Sequence, residues 1–247
     1  MHLTVYKHDV LVIIFKNYDQ CFHSIGWIHR PNYFERSNPA NYSPISPTSI
    51  LCKTLEHIVA SSITKHLSKL YIFYELQHGF REKRACESQL LMLVDDLFKS
   101  VYKKKQNDLI VFDFSMAFDK VSHEKLALKL HEYGIRGPTL KWVEGFLDNR
   151  HQSVIVNGSS SEPTPVSSGV PQGSVLGPLL FLNYINDIPT NVKSKVRLFA
   201  DDTALYLILP SQHLPNKRFS RKILTTLNAG VINGTCNLTP LNAKSFT

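Results

Sequence analysis

At 247 residues, 43% hydrophobic and 19% charged, the chain has globular rather than disordered composition and can fill one large domain or two small subdomains. Its net charge of +8, with 11 histidines besides, favours a polyanionic partner, nucleic acid first, although many basic proteins bind none. The four cysteines, Cys21, Cys52, Cys86 and Cys236, are far apart and form no CxxC pair, so no zinc ribbon or disulfide framework is suggested and a reducing compartment is expected.

Residues 1–40 mix aromatics, histidines and two prolines without a sustained period. The apolar run VLVIIF, Val10 to Phe15, is too short for a signal-peptide core or a membrane span and reads as a buried strand. After SPISPTS, the residues Leu51, Leu55, Ile58, Val59, Ile63, Leu67 and Leu70 recur at steps of three and four, predicting a helix capped by Ser46, Thr48 or Ser49. A second helix is predicted with Leu90, Val94, Leu97, Phe98 and Val101 on its apolar face, ending at KKKQND.

LIVFDF, Leu109 to Phe114, reads as a buried strand broken by one aspartate. Ser122 opens a helix with Leu126, Leu130 and Tyr133 inward that stops at Gly134, and Pro138 suits the first turn of the next. A strand and a turn at Asn157-Gly158 follow, then a polar loop. GVPQGSVLGP is a loop leading into the apolar helix LLFLNYIND, and RLFADDTALYLIL reads as two apolar strands joined at Asp201 and Asp202. From Pro210 the pattern decays. The irregular alternation of helices and short strands argues for an α+β layering.

The aspartates are the candidates for chemistry. Asp113 is the one charge in its strand, and Asp201 and Asp202 are the only charges of their hairpin after Arg197. A buried carboxylate without compensation costs several kcal/mol, so each requires a partner or a cation. A pair of Mg²⁺ ions ~3.5–4 Å apart would meet that need, since carboxylate and phosphate oxygens suit the ion. The competing readings are ordinary: an Asp-Asp pair often marks a solvated turn, and a strand-end aspartate often serves as a cap.

FDFSMAFDKVSHEKL, GVPQGSVLGPLLFLNYINDIP and RLFADDTALY, in that order, resemble the reverse transcriptase domain of non-LTR (LINE-type) retrotransposons. NPANYSPIS, HGFREKRACESQLLMLVDD, KLHEYGIRGPTLKWVEGFLDNRHQSV and LNAKS support the resemblance, which covers residues 38–209 closely. The resemblance implies a right-hand polymerase fold with a small antiparallel palm sheet backed by helices. It would divide the chain into an N-terminal segment of uncertain structure (1–40), a fingers-like region (41–110), a palm (111–209) and a degraded palm end (210–247). The expectation is a fragment lacking thumb and endonuclease.

The resemblance also implies roles. Asp113, Asp201 and Asp202 would be the catalytic metal ligands, Asp202 the lesser one, around two Mg²⁺ ions for which Mn²⁺ could substitute. Phe118 would lie beneath the incoming sugar and exclude a 2′-hydroxyl, with plain core packing as its rival reading. Gln172 and Gly173 would contact the nascent base pair, where glycine lets backbone approach substrate closely. Arg81, in the basic stretch GFREKR, would bind triphosphate or template, and Asp119 would cap or brace the following helix. Lys244 would be a proton donor to pyrophosphate. The implied partners are an RNA template, a DNA primer and dNTPs, with no membrane and no disulfide partner.

The implied activity is RNA-directed DNA polymerisation. The alternatives are an inactive remnant that keeps the fold and RNA binding, and a group II intron-type or other cellular reverse transcriptase. The sequence departs from the family where Ser43 stands for an arginine, Met116 for a lysine, and Ala85 or Cys86 for a capping Ser/Thr. NLTPLNAKS is also one residue short of the family's stretch, and the tryptophans expected before it are absent.

Overall fold

A computed structural model describes residues 26–29, 42–46, 48–114, 116–153, 155–156, 159–192, 194–210 and 240–246. The strand expected at Val10 to Phe15 lies outside the described residues. β1 (Gly26–His29) and β2 (Tyr42–Ile45) pair antiparallel ahead of the long helix α1 (Ile50–Lys69). Ser49 caps α1 by accepting from the Cys52 amide at 3.2 Å. Leu55, Ile63 and Leu67 of the predicted face are buried, whereas Leu51, Ile58 and Leu70 are exposed. Glu56 is buried with them, for a reason that lies 120 residues away.

α2 (Cys86–Tyr102) overturns the predicted orientation. Leu90, Phe98 and Val101 are exposed, and the buried positions are Gln89 and Ser100. The physical reason is that α2 covers a sheet edge with hydrogen-bonding groups. Gln89 Nε2 donates to the carbonyls of Leu76 (2.7 Å) and Leu198 (2.9 Å). Ala85 supplies no side-chain cap, and Ser88 closes that end instead, accepting from the Ala85 N–H at 3.1 Å and donating to its C=O at 2.8 Å.

β3 (Gln106–Phe114) follows, then α3 (His123–Glu132) and α4 (Pro138–Leu147). Ser122 caps α3, Leu126 and Leu130 are fully buried, and Gly134 takes a left-handed φ of 84° after the helix ends. Pro138 sits in the first turn of α4. β4 (His151–Gln152) pairs with β7 (Thr164–Pro165), and β5 (Ile155–Val156) with β6 (Ser159–Ser160). α5 (Leu176–Ile185) is buried almost all round and packs between α1 and α3. An apolar helix core with Leu67, Leu126, Val143 and Leu180 thus backs the sheet, whose own cluster is Ile110, Val196, Leu198 and Leu205.

β8 (Lys195–Phe199), β9 (Asp202–Leu209) and β10 (Pro240–Phe246) complete a four-stranded antiparallel sheet ordered β10-β3-β9-β8. β10 falls in the stretch after Pro210 where the sequence pattern decays; its apolar alternation runs only from Leu241 to Lys244. Among the described residues no helix is long and apolar enough to cross a membrane.

Arg197, in the middle of β8, is buried at 6% exposure and requires a counter-charge. Asp96 of α2 supplies it at 2.6 Å from Nη2, while Arg197 Nε donates to the Tyr206 hydroxyl at 3.0 Å and that hydroxyl donates to Asp96. Burial alone would raise the Asp96 carboxyl, but the bonds from Tyr206 and Arg197 and the charges of Lys195 and Arg197 hold it down to about 2. Burial and the bond to Asp96 push the Tyr206 hydroxyl up to about 12.

The depressed carboxyl contributes stability that is complete above its ordinary value and lost as pH falls from 3.8 towards about 2, on the order of 2 kcal/mol. Asp96→Asn leaves Arg197 buried without a counter-charge and should cost about 3 kcal/mol in urea unfolding at neutral pH. Its stability should also fall less steeply than the wild type's below pH 4; an unchanged unfolding midpoint refutes the pairing.

Candidate active site

The register of β3 on β9 assembles the candidate site. Val111 pairs with Ala204 and Phe112 with Thr203. Positions 113 and 202 lie two residues beyond the Val111–Ala204 pair, each towards the same end of the sheet, on strands ~4.8 Å apart. Asp113 is placed by its backbone alone, on the central strand with Asn242 of β10 opposite on its other side. Asp202 opens β9 opposite Phe199 and is exposed, while Asp201 is half-buried in the turn. The turn residues are therefore Ala200 and Asp201, one position earlier than the expected junction.

Ala200 adopts a left-handed φ of 53°, costly for a residue with a Cβ, so something else must fix this turn. Gln77 does so. Its Oε1 accepts from the amides of Ala200 (3.0 Å) and Gly79 (2.7 Å), and its Nε2 donates to the Ala200 carbonyl at 3.3 Å. His78 N donates to Leu198 O at 2.9 Å and Leu198 N to Leu76 O at 3.0 Å, zipping residues 76–78 onto the β8 edge. Gly79 passes so close that a Cβ there would lie 2.0 Å from the Ala200 nitrogen.

A second cluster flanks the sheet end. Phe118 is half-buried, stacked on Phe181 of α5 at 4.5 Å and edge-on to Phe80 at 6.0 Å. The loop 169–174 packs beside it. Val170 N donates to Phe118 O and Gly169 N to Val121 O, both at 2.8 Å. A Cβ on Gly169, whose φ is 92°, would lie 2.9 Å from the Asp119 backbone. Gln172 accepts through its carbonyl from Ser46 N at 2.7 Å, and Gly173, also at φ 92°, approaches Ser46 O.

Glu56 anchors the far end of this loop. Its Oε2 accepts from the amides of Val175 (2.7 Å) and Leu176 (3.0 Å) at the start of α5. Burial pushes its carboxyl above the usual value, and those two bonds and nearby Lys53 and His57 pull it back only in part. Asp119 does not cap α3, which Ser122 does; its side chain instead takes a hydrogen bond from Gln172. Burial raises its carboxyl, and that bond opposes the rise.

Arg81 lies over the Phe73 ring at 4.4 Å and donates to Tyr74 O at 3.4 Å, so part of the guanidinium is engaged within the chain. Lys244 lies on β10 opposite Val111. Among the described residues no group of three or more His, Cys, Asp or Glu side chains is arranged to hold a metal ion, and the Asp113 side chain is not among those described. The donor chemistry fits a hard cation nonetheless. Asp201 and Asp202 bring carboxylate oxygens to the sheet end that also carries residue 113.

A sequence profile described as reverse transcriptase (RNA-dependent DNA polymerase) matches residues 28–231. The chain belongs to the reverse transcriptase family. Among relatives of this reverse transcriptase chain, the "Probable RNA-directed DNA polymerase from transposon X-element" of Drosophila melanogaster is 30% identical over 83% of the chain and 23% of the relative. The "RNA-directed DNA polymerase from mobile element jockey" of the same organism is 31% identical over 74% of the chain and 20% of the relative. The chain thus spans about a quarter of the curated relatives it matches. The structure of apo telomerase from Candida tropicalis aligns with 97% of the chain and 50% of its own, with a TM-score of 0.62 at 10% identity. That likeness concerns the fold, a right-hand polymerase architecture. Reverse transcriptases as a family use divalent metal ions, a nucleic-acid template and nucleotide substrates.

Gln77, Glu56 and Asp119 were not singled out by sequence as parts of the site's framework. The signal for Gln77 is thin, a polar residue two before a glycine in a loop. Gln77→Ala leaves two buried N–H groups and one carbonyl to find new partners, so it should cost about 3 kcal/mol in thermal unfolding and speed amide exchange at Ala200. Wild-type exchange at Ala200 would show that the clamp does not hold the turn.

Proposed function

We propose that this chain is the fingers-like (41–110) and palm (111–209) portion of an RNA-directed DNA polymerase of a non-LTR retrotransposon. It would add dNTPs to a DNA primer 3′-hydroxyl on an RNA template. The observation that carries the reading is the profile match over 28–231, together with a β3–β9 register that sets residue 113 beside the hairpin bearing Asp201 and Asp202.

Asp113 and Asp201 would hold two Mg²⁺ ions, with Asp202 adding charge and Mn²⁺ able to substitute. Such ions, when bound, ease deprotonation of the attacking hydroxyl and neutralise the departing pyrophosphate. Little covalent chemistry falls to the protein, so positioning and electrostatics do most of the catalytic work. Phe118, backed by Phe181, is rigid enough to support the deoxyribose and to clash with a 2′-hydroxyl. Gln172 and Gly173 would meet the nascent base pair from a loop fixed on Ser46. Arg81 uses one of its N–H donors on Tyr74, leaving others for triphosphate. Lys244 is the proposed proton donor to pyrophosphate.

Primer extension on poly(rA)/oligo(dT) with Mg²⁺ tests the reading. The wild-type chain should extend the primer, and Asp201→Asn should lower the rate by about 10³-fold or more, as loss of a metal-clamping charge predicts. Salt-sensitive RNA binding that is unchanged by Asp201→Asn, with no extension, would instead mark a protein that keeps the fold without the chemistry.

Phe118→Val should improve UTP incorporation relative to dTTP by about 10-fold or more by removing the ring beneath the sugar. Unchanged sugar selectivity would return Phe118 to a packing role alone.

A further inference from the structure

α2 ends in a patch that the aspartate site does not use. Phe98 and Tyr102 stand one helical turn apart on the same face and are 70% and 90% exposed. Lys99 and Lys103 form the neighbouring row, and Lys104 and Lys105 carry the basic run past the helix end. Lys99 pairs with Asp95 at 2.6 Å. Lys103, Lys104 and Lys105 are exposed, and among the described residues no carboxylate pairs with them.

The turn fixes the backbone beneath these charges. Lys104 N donates to Val101 O at 2.8 Å and Lys105 N to Ser100 O at 3.0 Å, with Lys104 at a left-handed φ of 53°. The buried Ser100 hydroxyl donates to the Asn107 side chain, tying the turn to the start of β3. Only the lysine side chains are left to be ordered on binding. Residue 113 lies eight positions beyond Lys105, roughly 25 Å along the extended strand, so the patch is separate from the aspartate site.

The pairing of rings with uncompensated charge selects the partner. A polyanion without bases would meet the lysines and leave the rings in water. An apolar protein surface would cover the rings and trap three lysines without counter-charges. A single-stranded nucleic acid satisfies both, because its unpaired bases stack on aromatic faces while its phosphates meet the lysines.

We propose that the C-terminal end of α2, Phe98 and Tyr102 with Lys103, Lys104 and Lys105, is a nucleic-acid site outside the aspartate site that takes a single strand by stacking bases on the two rings. The site takes no part in phosphoryl transfer, and it is tested independently of the polymerase reading.

Fluorescence anisotropy of labelled oligo(rU) and oligo(dT), each about 20 nucleotides long, on the full chain over a series of salt concentrations supplies the test. Tyr102→Ala and Phe98→Ala should each weaken binding about 5-fold or more, whereas Tyr102→Phe, which keeps a ring, should stay within about 2-fold. Replacing the three lysines together by alanine should flatten the slope of log affinity on log salt by about 2, at about 0.7 for each phosphate contact on a single strand. The ring variants should leave that slope unchanged. Ring-dependent binding of either probe supports the site, and the tighter of the two identifies its sugar.

Unchanged affinity in both ring variants overturns the proposal, as does equal damage in Tyr102→Ala and Tyr102→Phe. Displacement of oligo(rU) by poly-L-glutamate as effective as by unlabelled oligo(rU) overturns it too, since that polymer has no bases to stack. A protein partner would show itself in sedimentation: self-association lost in Tyr102→Ala with oligo(rU) affinity intact assigns the face to a second copy and sinks the nucleic-acid site. All five side chains are exposed, so unfolding midpoints should not shift and lost binding reports the surface itself. A wild-type chain that extends no primer counts against the polymerase reading and leaves this measurement untouched.

Discussion

The alignment of β3 against β9 is the constraint on which the rest depends. Side chains alternate across a sheet with a period of two, so a slip of one residue would exchange the faces of the whole strand. Ile110 and Leu205 pair and are both buried, as is Thr203, and this inward set fixes the register from the core side. Once Ile110 and Leu205 are buried together, Val111 and Ala204 fall on the other face. Residues 113 and 202 then follow at the same end of the sheet. Backbone positions 88 and 89 apart in sequence are thereby brought to one end of the sheet by the packing of apolar neighbours.

The hairpin that carries Asp201 is held from outside the sheet. A two-residue turn with alanine in a left-handed conformation is a poor autonomous hairpin, lacking the Asn-Gly or Asp-Gly such turns favour. Gln77 substitutes its side chain for missing backbone partners, and Gly79 makes room for the contact. The same edge is covered by α2, whose inward face is polar because it meets strand carbonyls and the buried Arg197 rather than apolar side chains. Leu90, Phe98 and Val101 of its predicted apolar face therefore point outward, while Val94 and Leu97 stay half-buried.

A similar economy governs the loop 169–174. It lies between residues 118–121, the end of β2 and the start of α5, and each contact is a backbone group met by a specific partner. Glu56 explains itself in this light: a buried carboxylate at a helix N-terminus satisfies two amides that α5 cannot satisfy internally. Phe118 stacked on Phe181 joins this loop to the helical core. The ring is packed whatever its free edge meets, which is why the sequence supports a packing and a gating reading equally.

The sequence by itself determined the elements whose signals are local. Ser49 and Ser122 cap their helices because a hydroxyl reaches an amide three residues on, Pro138 opens α4, and the three palm blocks name the family. Tertiary structure alone decided which face of α2 is buried, that β10 completes the sheet, and that Gln77, Glu56, Asp96 and Asp119 hold the framework together. Each of those outcomes turns on a hydrogen bond or ion pair between residues far apart in sequence, and a single polar side chain carries no periodic trace of the distant partner it will meet. Only Arg197 hinted at its own answer, since a guanidinium inside an apolar strand requires a carboxylate from somewhere, and the fold brings it from Asp96.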